Sequence, residues 1–286
     1  MATVFRYALR RFRGQILGWG IALALLGVLL VSMYDMIAAQ QEQLEDLLKL
    51  YPEEFTAFFG DFSSFGTPEG FLSVELLSYM PLILGIFAVL TGSGLLVSDE
   101  ENGRLDLIMA HPVSRMALFL GRLLAFVVAA VAILAIAWLG LVVPMNWSSM
   151  GIGWGRIWLP LLSVLAELLL FGAMALFLSM VLPSRRLAAT TAGLLLVASF
   201  FITGLAKINQ DLEPVAKLSP LNYYQAQDAF HAFNGAWLAG LLGSAVVFTA
   251  LAWWRFQRRD IRVGGEGGWR LPSLPFRRRV GAGQET

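Results

Sequence analysis

Ser98-Asp99-Glu100-Glu101-Asn102-Gly103-Arg104-Leu105-Asp106-Leu107-Ile108-Met109-Ala110-His111-Pro112-Val113-Ser114-Arg115 is a polar island between two long apolar runs. The flanking runs, Glu75–Val97 and Met116–Val143, each exceed the roughly 20 residues that a helix needs to cross a bilayer. The island therefore lies in water at one membrane face. It carries charge, an amphipathic patch of helical length and a Pro stop, which is more than a plain turn requires. Leu105, Ile108 and Met109 recur at i, i+3, i+4 and form one apolar face, with Arg104 and Asp106 off it. Asp99, Glu100 and Glu101 are expected near a helix start, where the macrodipole favours anions. Pro112 is expected to end that helix and open the next, with Arg115 anchoring at the inner surface. The apolar face fits the helix-in-groove mode of docking to a soluble partner; the same face also fits a helix lying on lipid.

Four further runs have spanning length: Gln15–Met33, Ile157–Leu182, Leu187–Ala206 and Ala236–Trp254. The chain is 57% hydrophobic and 14% charged, far from the quarter-charged composition of soluble domains. An all-α polytopic membrane protein with six transmembrane helices follows. The first run is read as a retained span, because it is longer than a signal-peptide core and no Ala-x-Ala site follows it. Net charge is +1, which gives no electrostatic case for a nucleic-acid partner. With no Cys and only His111 and His231, neither disulfides nor a His-rich metal site can be built in one chain.

The basic residues orient the spans. All but four of the 21 Lys and Arg fall on one set of connections when both termini are cytoplasmic; the exceptions are Lys49, Arg156, Lys207 and Lys217. The expected organisation is an N-terminal amphipathic interfacial helix over residues 1–14, a six-span transmembrane domain over 15–262, and a disordered cytoplasmic tail over 263–286. Within the domain, 35–74 is a large acidic outer loop, 99–115 a cytoplasmic helix and 207–235 a second outer segment. Phe55, Phe58, Phe59, Phe62 and Phe65 form a helical stripe in the first loop, read as packing or as an apolar lid.

Glu167 is the one acid deep inside a span. An ionisable group at mid-bilayer costs roughly 2.5–3.5 kcal/mol on insertion scales and faces a cavity or a partner. Two roles fit: a polar point on a substrate path, or a structural interhelical hydrogen bond. Arg122, the only base well inside a span, lies near the inner end and does not match it in depth.

Glu101 to Arg115 resembles the signature segment of type-2 ABC exporter permeases, in which an acid, a Gly, an acidic/apolar helix and Pro-Val-Ser-Arg follow the second span. Leu218-Ser219-Pro220-Leu221-Asn222-Tyr223-Tyr224 is similar to that family's segment before the last span. The resemblance implies two permeases, identical or homologous, with two ABC ATPase subunits that hold ATP and Mg. It implies that residues 99–115 are the coupling helix, with Glu101, Gly103, Arg104, Leu105, Asp106, Ile108, Met109, His111, Pro112 and Arg115 as coupling residues and Glu167 on a possible substrate path. The long Phe-rich outer loop departs from the short-loop lipid and polysaccharide exporters. The residues agree that this chain holds no cofactor. A Walker A loop needs a Gly-Lys pair to cradle phosphates, and none of the three lysines follows a Gly. The expected function is a non-enzymatic permease subunit of an ATP-driven exporter in the cell membrane, moving a hydrophobic or amphipathic substrate. Three alternatives remain at this stage. One is a subunit that transmits ATPase motion without transport; another is a stand-alone channel, for which one intramembrane Glu is thin support. The third is an intramembrane protease, for which the later His motifs are missing.

Overall fold

Gly20, Ala24 and Gly27 set how the first span packs. The computed structural model describes residues 1–40, 65–103 and 113–258, and the first span is a single helix, Ala2–Ala38. Its 37 residues extend about 55 Å at 1.5 Å per residue, well beyond a 30 Å hydrocarbon core. Residues 1–14, read above as a separate interfacial helix, are the first turns of this same helix, with no break at Gly14. The first span lies along the third (Arg115–Met145). A Cβ on Gly27 would stand 3.1 Å from the Gly140 carbonyl carbon, and one on Gly140 would overlap the Ala24 backbone. Such small residues let two helices approach closely where lipid offers no hydrophobic drive.

The second span begins at Pro68, earlier than its apolar run suggests. Thr67 caps it by accepting from the Gly70 N–H at 3.1 Å. Helix Pro68–Leu72 passes through a π turn, Ser73–Leu77, before Met80–Gly94. The irregularity has an identifiable cause. Pro81 has no N–H for the Leu77 carbonyl four residues back. The Tyr224 hydroxyl, from the segment before the last span, donates to that carbonyl at 2.8 Å.

The fourth span (Trp154–Val181) is the axis of the bundle, with the second, fifth (Arg185–Ile208) and sixth (Gly235–Arg258) packed around it. Gly92 and Gly172 meet back to back, and a Cβ on Gly172 would enter the Phe126 ring. Ser114 and Ser184 cap the third and fifth spans by accepting from the Ala117 and Leu187 N–H groups. Among the described residues there are six helices long and apolar enough to cross a membrane, and no strand. The all-α, six-span reading holds.

Side-chain bonds distinguish the two ends of the bundle. At one end Asp99 holds Arg11 and Arg122, Arg185 bonds the Leu90 carbonyl, and Arg115 bonds the Phe256 carbonyl. At the other, Asp35 accepts from the Ser148 and Ser149 hydroxyls and the Ser149 N–H. There too, Gln225 pairs through its side-chain amide with the Asn234 backbone, donating at 3.0 Å and accepting at 2.6 Å. The Asn234 side chain then accepts from the first N–H groups of the sixth span. The Phe stripe at 55–62, the segment Arg104–Pro112 and the tail 263–286 lie outside the described residues; Phe65 is buried against Phe71, ring centroids 5.3 Å apart.

Candidate functional site: the root of the polar island

Helix Val97–Glu101 joins the second span to the island. Asp99, in its middle, is 1% exposed and receives two guanidinium groups. Arg122, about two turns into the third span, donates to it through Nη2 at 2.5 Å and through Nη1 to the Leu95 carbonyl at 2.8 Å. Arg11, from the first span, donates through Nη1 at 2.9 Å to the other side of the same carboxylate. The Arg122 side chain is 6% exposed and that of Arg11 43%, so the two pairs differ in kind. The first is a buried ion pair, costly to break on one side only; the second is half in solvent and weak. Glu101 Oε1 accepts from the Arg185 backbone N–H at 2.9 Å, placing an acid at the N-terminus of the fifth span. Arg185 Nη2 donates back to the Leu90 carbonyl of the second span at 3.2 Å. Seven residues thus bind the root of the island to the first, second, third and fifth spans.

The acids are expected near a helix start, and Asp99 and Glu100 do stand in the first turn of Val97–Glu101, but that helix is short. The helix ends at Asn102, and Gly103 takes φ +64°, with its N–H donating to the Glu100 carbonyl. Asn-Gly is a strong helix stop, since Gly adopts the left-handed conformation without strain. Asp99 and Glu100 lie in the first turn of this five-residue helix, where the macrodipole favours anions, and guanidinium groups hold Asp99 while the N-terminus of the fifth span holds Glu101. Of the coupling candidates, Glu101, Gly103 and Arg115 are described; Arg104, Leu105, Asp106, Ile108, Met109, His111 and Pro112 are not. The third span starts at Arg115, whose guanidinium donates to the Phe256 and Gln257 carbonyls at 3.1 and 3.3 Å. It thereby satisfies carbonyls at the end of the sixth span.

A family model for ABC-2 family transporter proteins matches residues 17–261. The chain belongs to the ABC-2 transporter family. It is a membrane permease subunit of an ABC transporter, and the family pairs such subunits with an ABC ATPase. No curated relative matches it.

In this ABC-2 permease the fourth span carries Glu167, 1% exposed, and neither carboxylate oxygen has a hydrogen-bond partner among the described residues. One turn earlier, Ser163 accepts from the Gln225 N–H at 2.9 Å, tying the connection before the sixth span to this span. One and two turns later, Leu170, Phe171 and Met174 wall a cavity of about 600 Å³ between the fourth, fifth and sixth spans, also lined by Val215, Pro220 and Tyr223 from the connection before the sixth span. A second cavity, of about 500 Å³, lies between the second and fifth spans and the connection before the sixth span. Glu167 lines neither. Among the described residues no group of three His, Cys, Asp or Glu is placed to hold a metal ion.

Asp99, Arg11, Arg122, Arg185 and Tyr224 were not among the sequence-derived site residues. The signal for Asp99 was the lone Arg122 near a span end, whose partner sits outside the apolar runs. The signal for Tyr224 was Pro81, which obliges some group to serve Leu77.

Proposed function

We propose that this permease moves a hydrophobic or amphipathic substrate outward, driven by a separate ATPase subunit that docks on residues 99–115. The observation that carries the reading is the ionic root. A docking segment that transmits force must be fixed to the spans it moves, and Asp99 and Glu101 join it to three spans besides its own. ATP-driven closure of the ATPase pair would push on the island, and the root would carry that displacement into the first, third and fifth spans.

The substrate class follows from the cavity of about 600 Å³, which falls in the usual range for ligand pockets of roughly 300–1,000 Å³. Its walls are largely apolar, with Ser199, Ser219 and Ser244 as isolated polar points. A second copy or homologue of the chain would complete the pathway. The arginine-rich end, with residues 98–115, faces the cytoplasm by the positive-inside rule.

Two experiments test this. Reconstituted with its ATPase subunit, the permease carrying Leu105→Asp and Ile108→Asp should insert normally yet lose complex formation or uncouple hydrolysis from transport. Unchanged complex yield and transport would refute the docking role. For orientation, Glu45→Cys should react with an impermeant thiol reagent on intact cells and Glu266→Cys should not; the reverse pattern would invert the topology. A coupled complex whose ATPase cycles without moving any hydrophobic substrate into vesicles would replace transport by motion transmission alone.

A further inference from the structure

At the arginine-rich end of the bundle a small cavity of about 200 Å³ opens between the first, second, third and fifth spans. Arg11, Arg122 and Arg185 line it from three different spans, joined by Gln15 and Ser98, and no carboxylate lines it. Asp99 stands behind the arginines. It engages Nη1 of Arg11 and Nη2 of Arg122. Arg122 Nη1 and Arg185 Nη2 serve backbone carbonyls. Nε and Nη2 of Arg11, and Nε and Nη1 of Arg185, carry no bond to any described residue. Thr91, also in the lining, is buried with a hydroxyl that has no partner among the described residues. Gly94 keeps the Arg185 head in place: a Cβ there would stand 2.8 Å from its Nε.

We infer that this cavity binds the phosphate group of an anionic phospholipid of the cytoplasmic leaflet. Guanidinium forks match phosphate oxygens in geometry and charge. A space of about 200 Å³ admits a phosphate headgroup and water but falls below the range for drug-sized ligands. The position favours a lipid over a soluble anion. The cavity lies between membrane-spanning helices just where the apolar length of the first span gives way to Arg6, Arg10, Arg11 and Arg13, the depth at which headgroups sit. Because Arg11 and Arg122 also hold Asp99, an occupied cavity would brace the root of the island and make coupling sensitive to anionic lipid. The inference rests on the proposed orientation only for the choice of leaflet.

The test uses the full-length permease, stripped of lipid in non-ionic detergent, with the thermal midpoint read as lipid is added. No ATPase or transport step enters, so a failure here is separate from a failure of the export reading. Phosphatidylglycerol should raise the midpoint by several degrees, and zwitterionic phosphatidylcholine should not. The pair Arg11→Gln with Arg185→Gln should need at least ten-fold more phosphatidylglycerol for the same shift. Arg255→Gln with Arg258→Gln, at the same end but outside the cavity, should respond like the parent chain. If both double variants weaken equally, or the parent chain does not respond, the site is refuted. Inorganic phosphate should have no effect at the same concentration; if it reproduces the shift, the lipid assignment falls. Should the first double variant fail to fold, Arg11→Gln alone suffices, since Asp99 keeps Arg122, and an affinity unchanged within three-fold would overturn the inference.

Discussion

Asp99→Ala is expected to be among the most damaging single changes at the arginine-rich end, and Arg11→Gln among the mildest, although both remove a partner from the same ion cluster. The side chains of Asp99 and Arg122 are 1% and 6% exposed, so deleting the carboxylate leaves a buried guanidinium with only the Leu95 carbonyl. Breaking one side of a buried pair costs about 3–5 kcal/mol. Arg11 is 43% exposed, and a pair of that kind contributes about 0–1 kcal/mol after solvent screening. The two variants should therefore differ by at least about 2 kcal/mol. A third variant separates stability from coupling. Asp99→Leu combined with Arg122→Met removes both charges and is expected to recover most of the lost stability, because apolar replacement of a buried pair is often neutral or better. It should nonetheless leave ATP hydrolysis poorly coupled to transport, since the root of the island has lost its grip on the third span. Unfolding in detergent gives the first quantity, and coupled ATPase and transport rates in vesicles give the second. Equal losses for Arg11→Gln and Asp99→Ala would show that burial does not control this cluster. Full coupling in the Asp99→Leu/Arg122→Met variant would reduce the cluster to a structural one.

Three other outcomes are expected. Tyr224→Phe should cost about 0.6–1.7 kcal/mol, the range for interhelical hydrogen bonds in membranes, by orphaning the Leu77 carbonyl; adding Pro81→Ala should recover the loss by restoring a backbone donor, and additive losses would deny the link. Gly140→Leu should destabilise by about 1–3 kcal/mol or more, by forcing the first and third spans apart, whereas Gly14→Ala, with open space around it, should gain about 0.5–1 kcal/mol from helix propensity; similar melting shifts for the two would refute the packing account. Glu167→Leu should leave the melting midpoint equal or higher, since it removes a buried carboxyl with no partner among the described residues; a loss of about 1–2 kcal/mol would establish an interhelical bond, and unchanged transport would remove the pathway role.

What was legible in the sequence is what depends on local composition over bilayer length. Six apolar runs became six spans, because 20 apolar residues have few alternatives to a helix in lipid. The boundaries were less legible where a local signal competed with hydropathy. Thr67-Pro68 is a helix-start signature and placed the second span's beginning seven residues before its apolar run. Asn102-Gly103 is a stop signature, and it closes the helix that holds Asp99 and Glu100 in its first turn after only five residues. Gly14 sits between a basic turn and an apolar run, yet one glycine costs only about 1 kcal/mol in a helix and did not break it.

The site was the least legible part, for a physical reason. Arg11 and Asp99 are separated by 88 positions, and Arg122 and Asp99 by 23. No periodicity or cap rule relates charges at such distances; only the packing of the first and third spans through Gly27, Ala24 and Gly140 brings them together. In the proposed coupling role, that packing would matter to function as well as to geometry. Helices packed closely through glycine contacts would be expected to move as a pair, so a displacement of Asp99 carried through Arg122 would not stop at the third span. It would be shared with the first, and through the Arg185 N–H on Glu101 it would reach the fifth. The second span, by contrast, is interrupted by the π turn above Pro81 and stitched at Leu77 to Tyr224. A push on the island, in the proposed role, would meet closely packed helices at one end of the bundle and an irregular, hydrogen-bond-stitched joint at the other, beside the two cavities. Motion that enters as a rigid shift can leave as a rearrangement of the cavity walls.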